Sequence, residues 1–184
     1  MSIDKKKKET EMGCSMGKKL LVAVSLFFAA IVQTFAGSLS FQILQKDESL
    51  SEVCESALVI EDEILNYFFE HGFIVSNVAA AVSNTDAQDE KYFKDSYNEA
   101  VEGAVDNFCL IKLYFTGGAE ENQRVSVGTI KKIGWKVVSL KTGKVLEDSS
   151  KAVKQDITYD EEANVREFAA DFATYLHKLI KQKA

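Results

Sequence analysis

Residues 124–153 read RVSVGTIKKIGWKVVSLKTGKVLEDSSKAV and carry the clearest pattern in the chain. Val125 and Val127 alternate with Ser126 and Gly128, and Ile133, Trp135 and Val137 resume that period of two. Such spacing is that of a half-buried strand. Thr129, Ile130, Lys131 and Lys132 break the phase, which predicts a bulge or bend permitted by Gly128 and Gly134. Lys141-Thr142-Gly143 predicts a tight turn, with Gly143 taking a positive φ. Val145 opens the returning strand, which runs into Glu147, Asp148 and Ser149 and extends toward Ala152 and Val153. Trp135 is expected as a core or edge aromatic that anchors this sheet. A ligand-stacking role is the weaker reading, because one aromatic without convergent polar groups does not make a site.

The other elements fall around that hairpin. Leu39, Phe41 and Ile43 alternate with polar neighbours and predict a first strand over 38–44. A helix follows, with Ser49 or Ser51 as its cap and Glu52 placed as in a capping box. Its buried stripe is Val53, Ala57, Ile60, Ile64 and Phe68, and His71-Gly72 closes it. A short strand is expected over 73–76, then a small, polar loop over 77–87. Phe93, Tyr97, Ala100, Val101 and Ala104 share a face of a helix over 89–107. FCLIKLYF, 108–115, is nearly all apolar, as a strand covered on both faces would be. Residues 116–123 form a Gly/Glu-rich loop and 156–160 a turn. The last helix, 164–182, carries Val165, Phe168, Ala169, Phe172, Leu176, Leu179 and Ile180 on one stripe. The order β-α-β-α-β-β-β-α defines one α/β (α+β) domain, a mixed sheet of about five strands with helices packed on it.

The amino terminus changes the picture of where that domain works. Six lysines (Lys5–Lys8, Lys18, Lys19) precede the apolar run LLVAVSLFFAAIV, and Thr34-Phe35-Ala36 then supplies small residues at the −3 and −1 positions. This is the anatomy of a secretory signal peptide over 1–36, with the domain over 37–184. The run is short for a membrane span, which takes roughly 20 residues. The protein is therefore expected to be exported to the periplasm or cell envelope, and to meet a membrane only through an uncleaved leader. Processing would leave 148 residues with 16 basic and 25 acidic side chains, a net charge of −9. A domain this acidic is a poor nucleic-acid binder.

Lysines nevertheless gather on the hairpin. Lys131, Lys132, Lys136, Lys141 and Lys144, together with Trp135, form a candidate face for docking an acidic partner, with a solvated, lysine-guarded sheet edge as the plainer reading. Cys54 and Cys109 are a disulfide candidate in an exported chain, closing a loop of 55 residues and stabilising by about 4 kcal/mol. Two buried free thiols are the equal alternative.

Catalytic equipment is sparse in the sequence. His71 and His177 lack a partner at zinc-motif spacing, and both are expected near helix ends, where the dipole favours them. Thr116-Gly117-Gly118 lacks the Lys-Ser/Thr of a phosphate loop, and no G-x-S-x-G elbow occurs. Neighbouring acids such as Glu61-Asp62-Glu63 and Asp160-Glu161-Glu162 suit a solvated face better than a catalytic pair. No cofactor, metal or catalytic residue is expected.

A helix ending ILNYFFEHGFIVSN, the strand FCLIKLYFTG and the hairpin WKVVSLKTGKVLEDSS resemble a group of exported envelope proteins. That group comprises the amino-terminal domain of TolB, the curli secretion lipoproteins and the lipoprotein activators of penicillin-binding proteins. Gly72-Phe73-Ile74-Val75 and Leu140 to Val145 match its helix-end and Thr-Gly turn patterns. The resemblance implies an anticodon-binding-domain-like fold and a non-enzymatic protein that binds a partner or assembles with itself. This chain departs from the lipoproteins in having no cysteine directly after the leader. A carrier of a small apolar ligand or lipid, and an enzyme with an unfamiliar acidic site, are the alternatives.

Overall fold

The computed structural model describes residues 37–47, 49–116, 126–154 and 161–183. The leader with its cleavage site, Val125, most of the loop 116–123 and the turn 156–160 lie outside them. All the described residues belong to one compact unit, Ala36–Ala184.

Five strands form one mixed sheet: β1 (Ser38–Lys46), β2 (Ile74–Val82), β3 (Asn107–Phe115), β4 (Ile130–Ser139) and β5 (Lys144–Ala152). Three helices, α1 (Glu55–Glu70), α2 (Asp86–Glu102) and α3 (Glu161–Lys183), complete the expected order. The strands lie in the order β2-β1-β3-β4-β5. β1 pairs in parallel with β2 and β3, while β3–β4 and β4–β5 are antiparallel. The β4–β5 hairpin therefore forms one flank of the sheet, and β3 its centre.

Alternation assigns the two faces. Leu39, Phe41 and Ile43 of β1, Cys109, Ile111 and Leu113 of β3, and Ile133, Trp135 and Val137 of β4 form one core with α1 and α3. Ala57, Ile60, Ile64 and Phe68 of α1 and Val165, Ala169, Leu176 and Ile180 of α3 supply the helical half, at the predicted spacing. Leu44, Phe108 and Leu110 turn to the opposite face, under Ala100, Phe93 and Tyr97 of α2. The polar neighbours in β1 are buried too, and are satisfied there. Gln42 accepts from the Ser96 hydroxyl at 2.6 Å and donates to the Ala79 carbonyl at 3.1 Å. Buried polar groups persist in cores on that condition.

Several boundaries differ from those the sequence predicts. α1 begins after Cys54 and has no side-chain cap. Ser49 instead donates to Asp47, and the orphan N–H of Cys54 is taken by Gln45 Oε1 at 2.7 Å. A side chain reaching from β1 thus replaces the expected capping box. The other end is as expected: Gly72 has φ +80°, and the N–H groups of Gly72 and Phe73 reach back to the carbonyls of Phe69 and Phe68, each at 3.0 Å. β2 does not stop at Ser76; it continues to Val82 through the segment predicted as a loop. Backbone bonds at the sheet edge hold it, so small, exposed residues suffice and no burial periodicity marks it. α2 starts at Asp86, capped reciprocally by Thr85 and Gln88, and ends at Glu102 rather than 107. The predicted phase slip is a bulge at Lys131, since Tyr114 faces Lys132 and Phe115 faces Ile130. Val127 lies in the turn before β4, not in a strand. Gly143 has φ +68°, as the turn requires, and a second bulge leaves Leu146 unpaired between Val145 and Glu147.

Candidate functional surfaces

α2 covers β1 and β3 on its side of the sheet, and β4 and β5 extend beyond it. A groove of about 440 Å³ opens there, lined by Phe93 of α2, Lys112 and Tyr114 of β3, and Lys132, Gly134 and Lys136 of β4. Register explains the grouping: Lys112 faces Gly134, Tyr114 faces Lys132, and Leu110 faces Lys136. Gly134 adds no side chain to the floor, and a Cβ there would meet the Tyr114 ring at an ordinary contact distance of 3.5 Å. Lys132 Nζ lies 3.9 Å from the Tyr114 ring centroid, and Lys136 Nζ 4.5 Å from that of Phe93. Cations over ring faces are held in place while keeping their charge. Below them Asp89, itself buried, accepts from Lys112 at 2.6 Å and Lys46 at 2.8 Å. Burial opposes its ionisation, but the hydrogen bonds from Lys112, Lys46 and Ser83 outweigh that and hold the carboxyl below its usual range.

The structure divides the six residues of the expected docking face. Lys132 and Lys136 stand together in the groove. Lys131 is the exposed extra residue of the bulge, and Lys141 and Lys144 lie at the hairpin tip, where Lys141 pairs with Asp106 at 2.9 Å. Trp135 does not join them: its ring packs on Phe172 and Tyr175 of α3, on the opposite face. Period-two alternation puts consecutive residues on opposite faces, so a run of neighbours could not form one surface. Lys112 is the member missed from sequence, because a lone lysine in FCLIKLYF looks like an interruption of a buried strand.

Around Trp135, Glu147 accepts from the indole N–H at 3.0 Å, from the Tyr175 hydroxyl and from Lys183 at 3.2 Å. The hydrogen bond from Tyr175 lowers the Glu147 pKa despite partial burial, while burial and the adjoining carboxylate push Tyr175 up to about 12. This group ties β5 to α3.

Cys54 and Cys109 are both free and buried, and burial raises the pKa of each thiol. His71 is the C-cap of α1, as expected. His177 lies within α3, not at its end, packed among Tyr67, Phe68, Phe73 and His71. Its burial, helped by Lys181 and His71, lowers its pKa. Among the described residues, no three His, Cys, Asp or Glu side chains are grouped to hold a metal ion, and no helix is long and apolar enough to cross a membrane.

A family model described as "Uncharacterised protein" matches residues 38–181, and the chain belongs to that family. Comparison with curated proteins finds no match. Solved structures similar to this chain include PelC from Paraburkholderia phytofirmans, at 9% identity and a TM-score of 0.43, over 79% of this chain and 90% of that one. TolB from Acinetobacter baumannii matches at 10% identity and a TM-score of 0.42, over 78% of this chain and 28% of its own. Lipoprotein GNA1162 from Neisseria meningitidis matches at 11% and 0.41, over 76% and 96%. TolB and a lipoprotein, kinds of protein that the sequence pattern resembles, are thus among the similar structures. Similarity at this level concerns the fold alone.

Proposed function

We propose that the chain is an exported, non-enzymatic protein of the bacterial cell envelope that works by binding an acidic protein partner on the α2 side of its sheet. The basic-then-apolar amino terminus supports export. The observation that carries the binding reading is the groove over β3 and β4, where Lys132 and Lys136 stand over aromatic rings rather than in close carboxylate pairs. Lys136 comes only within 4.0 Å of Asp148. Asp89, Glu90 and Asp148 also line the groove, so Lys132 and Lys136 are the cations it offers, and they would fix the register of an acidic partner there.

A photo-crosslinking amino acid at position 132, in cells producing the full chain, tests this reading alongside fractionation of the envelope. The expected result is a defined crosslinked partner in the envelope fraction. Adding Lys136→Glu should abolish the crosslink without changing the circular dichroism of the protein. A cytoplasmic protein, or a crosslink indifferent to Lys136→Glu and to salt, would contradict the proposal.

A further inference from the structure

The start of the domain lies against a carboxylate. Gly37 is held on one side by β2: its carbonyl accepts from the Ile74 N–H at 3.2 Å. The next N–H, that of Ser38, donates to Asp106 Oδ2 at 3.1 Å, and the Ser38 hydroxyl accepts from the Asp106 N–H at 2.8 Å. Asp106 directly precedes β3, so this exchange closes the first rung between β1 and β3. Gly37 has φ +113°, a conformation that other residues rarely adopt. A side chain there would point at the same Asp106 Oδ2, with its Cβ at 3.5 Å, and at the Phe73 ring, at 3.6 Å.

Asp106 has capacity left. Its Oδ1 pairs with Lys141 at 2.9 Å, and its Oδ2 accepts one backbone N–H, where a carboxylate oxygen can take two. Burial opposes its ionisation, but the hydrogen bonds from Lys141 and Ser38 outweigh that and hold the carboxyl below its usual range. Beside it, Asn107 donates from its side chain to the Ser38 carbonyl at 3.4 Å and leaves its buried Oδ1 without a hydrogen-bond partner among the described residues. This corner of the sheet is short of donors.

We propose, resting on the export reading above, that Asp106 is the binding site for the α-amino group that leader removal creates at Gly37. Hydrolysis of the Ala36–Gly37 bond consumes one water. It leaves a carboxylate on Ala36, which departs with the leader, and an ammonium on Gly37. The fold already holds the atoms that deliver this ammonium. With the Gly37 carbonyl fixed on β2, a third of a turn about the Cα–C bond carries the freed nitrogen into the position a Cβ would take, 3.5 Å from Oδ2. One carboxylate then clamps the mature amino terminus on Oδ2 and the hairpin tip, through Lys141, on Oδ1. A chain that keeps its leader has an uncharged amide at Gly37 and lacks the clamp.

The α-amino pKa of the exported protein tests this. The full chain is produced in cells, the protein is purified from the envelope fraction, and its intact mass fixes the first residue. Competitive acetylation across pH, read by mass spectrometry on the amino-terminal peptide, compares the native protein with the same protein unfolded in urea. The expected chain begins at Gly37. Its native α-amino group should half-titrate about one pH unit or more above the unfolded value, a tenfold tighter hold on the proton. The sign follows from the carboxylate, which favours the charged form of the amine. Asp106→Asn keeps an oxygen for the Ser38 N–H and should return the native value to the unfolded one. Lys141→Ala removes a competing cation from Asp106 and should raise it further. An exported chain beginning at Gly37 whose α-amino group titrates alike in both states would overturn the proposal and leave the export reading standing. So would a raised value that survives Asp106→Asn, or an exported chain that begins at another residue. A chain kept whole in the cytoplasm would overturn both readings.

Discussion

The two outer strands of the sheet have the same length and opposite chemistry. β5, KVLEDSSKA, carries Lys144, Glu147, Asp148 and Lys151 in nine residues, and its bulge at Leu146 breaks the line of backbone groups. Charges and bulges of this kind discourage another strand from pairing. β5 is also tied into the molecule by side chains, through Glu147 to Trp135, Tyr175 and Lys183. β2 has no charged residue and is held by backbone bonds to β1 and a few polar contacts such as Gln42 to Ala79 and Asn77 to Glu61. One edge is closed by its own side chains, and the other is left open over Ile74–Val78. The difference teaches that the two borders are kept in order by different means: β5 by charges, a bulge and side-chain ties to α3, β2 by its backbone ladder to β1 and a few polar contacts.

The comparison breaks most severely at Trp135. Its ring fills the space between β4, Phe172 and Tyr175, and its N–H holds Glu147. Trp135→Ala should cost about 3–5 kcal/mol in denaturant unfolding and loosen the β5 edge. A cost under about 1 kcal/mol would show that Glu147 and the ring do not anchor that edge.

A smaller loss is expected on the β2 side. Gln42→Leu leaves the Ser96 hydroxyl and the Ala79 carbonyl without their partner. The expected cost is about 1–3 kcal/mol, from unsatisfied buried polar groups. Amide exchange should rise in β2 beyond Ala79 before it rises in β5. Equal acceleration of both strands would mean that Gln42 acts on the sheet as a whole.

Much of the fold was legible because it rests on burial. The stripes of α1 and α3 and the apolar run of β3 appear in the sequence as they do in the core. β2 beyond Ser76 was not legible, since an edge strand of alanine and valine needs no buried face and leaves no period to read. The start of α1 was misread because no side chain caps it; Gln45, nine residues earlier, takes the Cys54 N–H instead. The groove was half legible. Lysines on the hairpin stood out, but a list of neighbours ignores alternation, which sends Trp135 to α3 and brings Lys112 from β3 beside Lys132 and Lys136. The open edge itself is announced by what β2 lacks, and only strand order shows that those residues are at a border.

Amide hydrogen exchange of the wild-type protein, followed residue by residue, tests the comparison of the two borders most directly. The account predicts that the Val75 and Asn77 amides, which point away from β1, exchange freely, while those of Ser76 and Val78, bonded to β1, are protected. Equal protection of all four amides would contradict it.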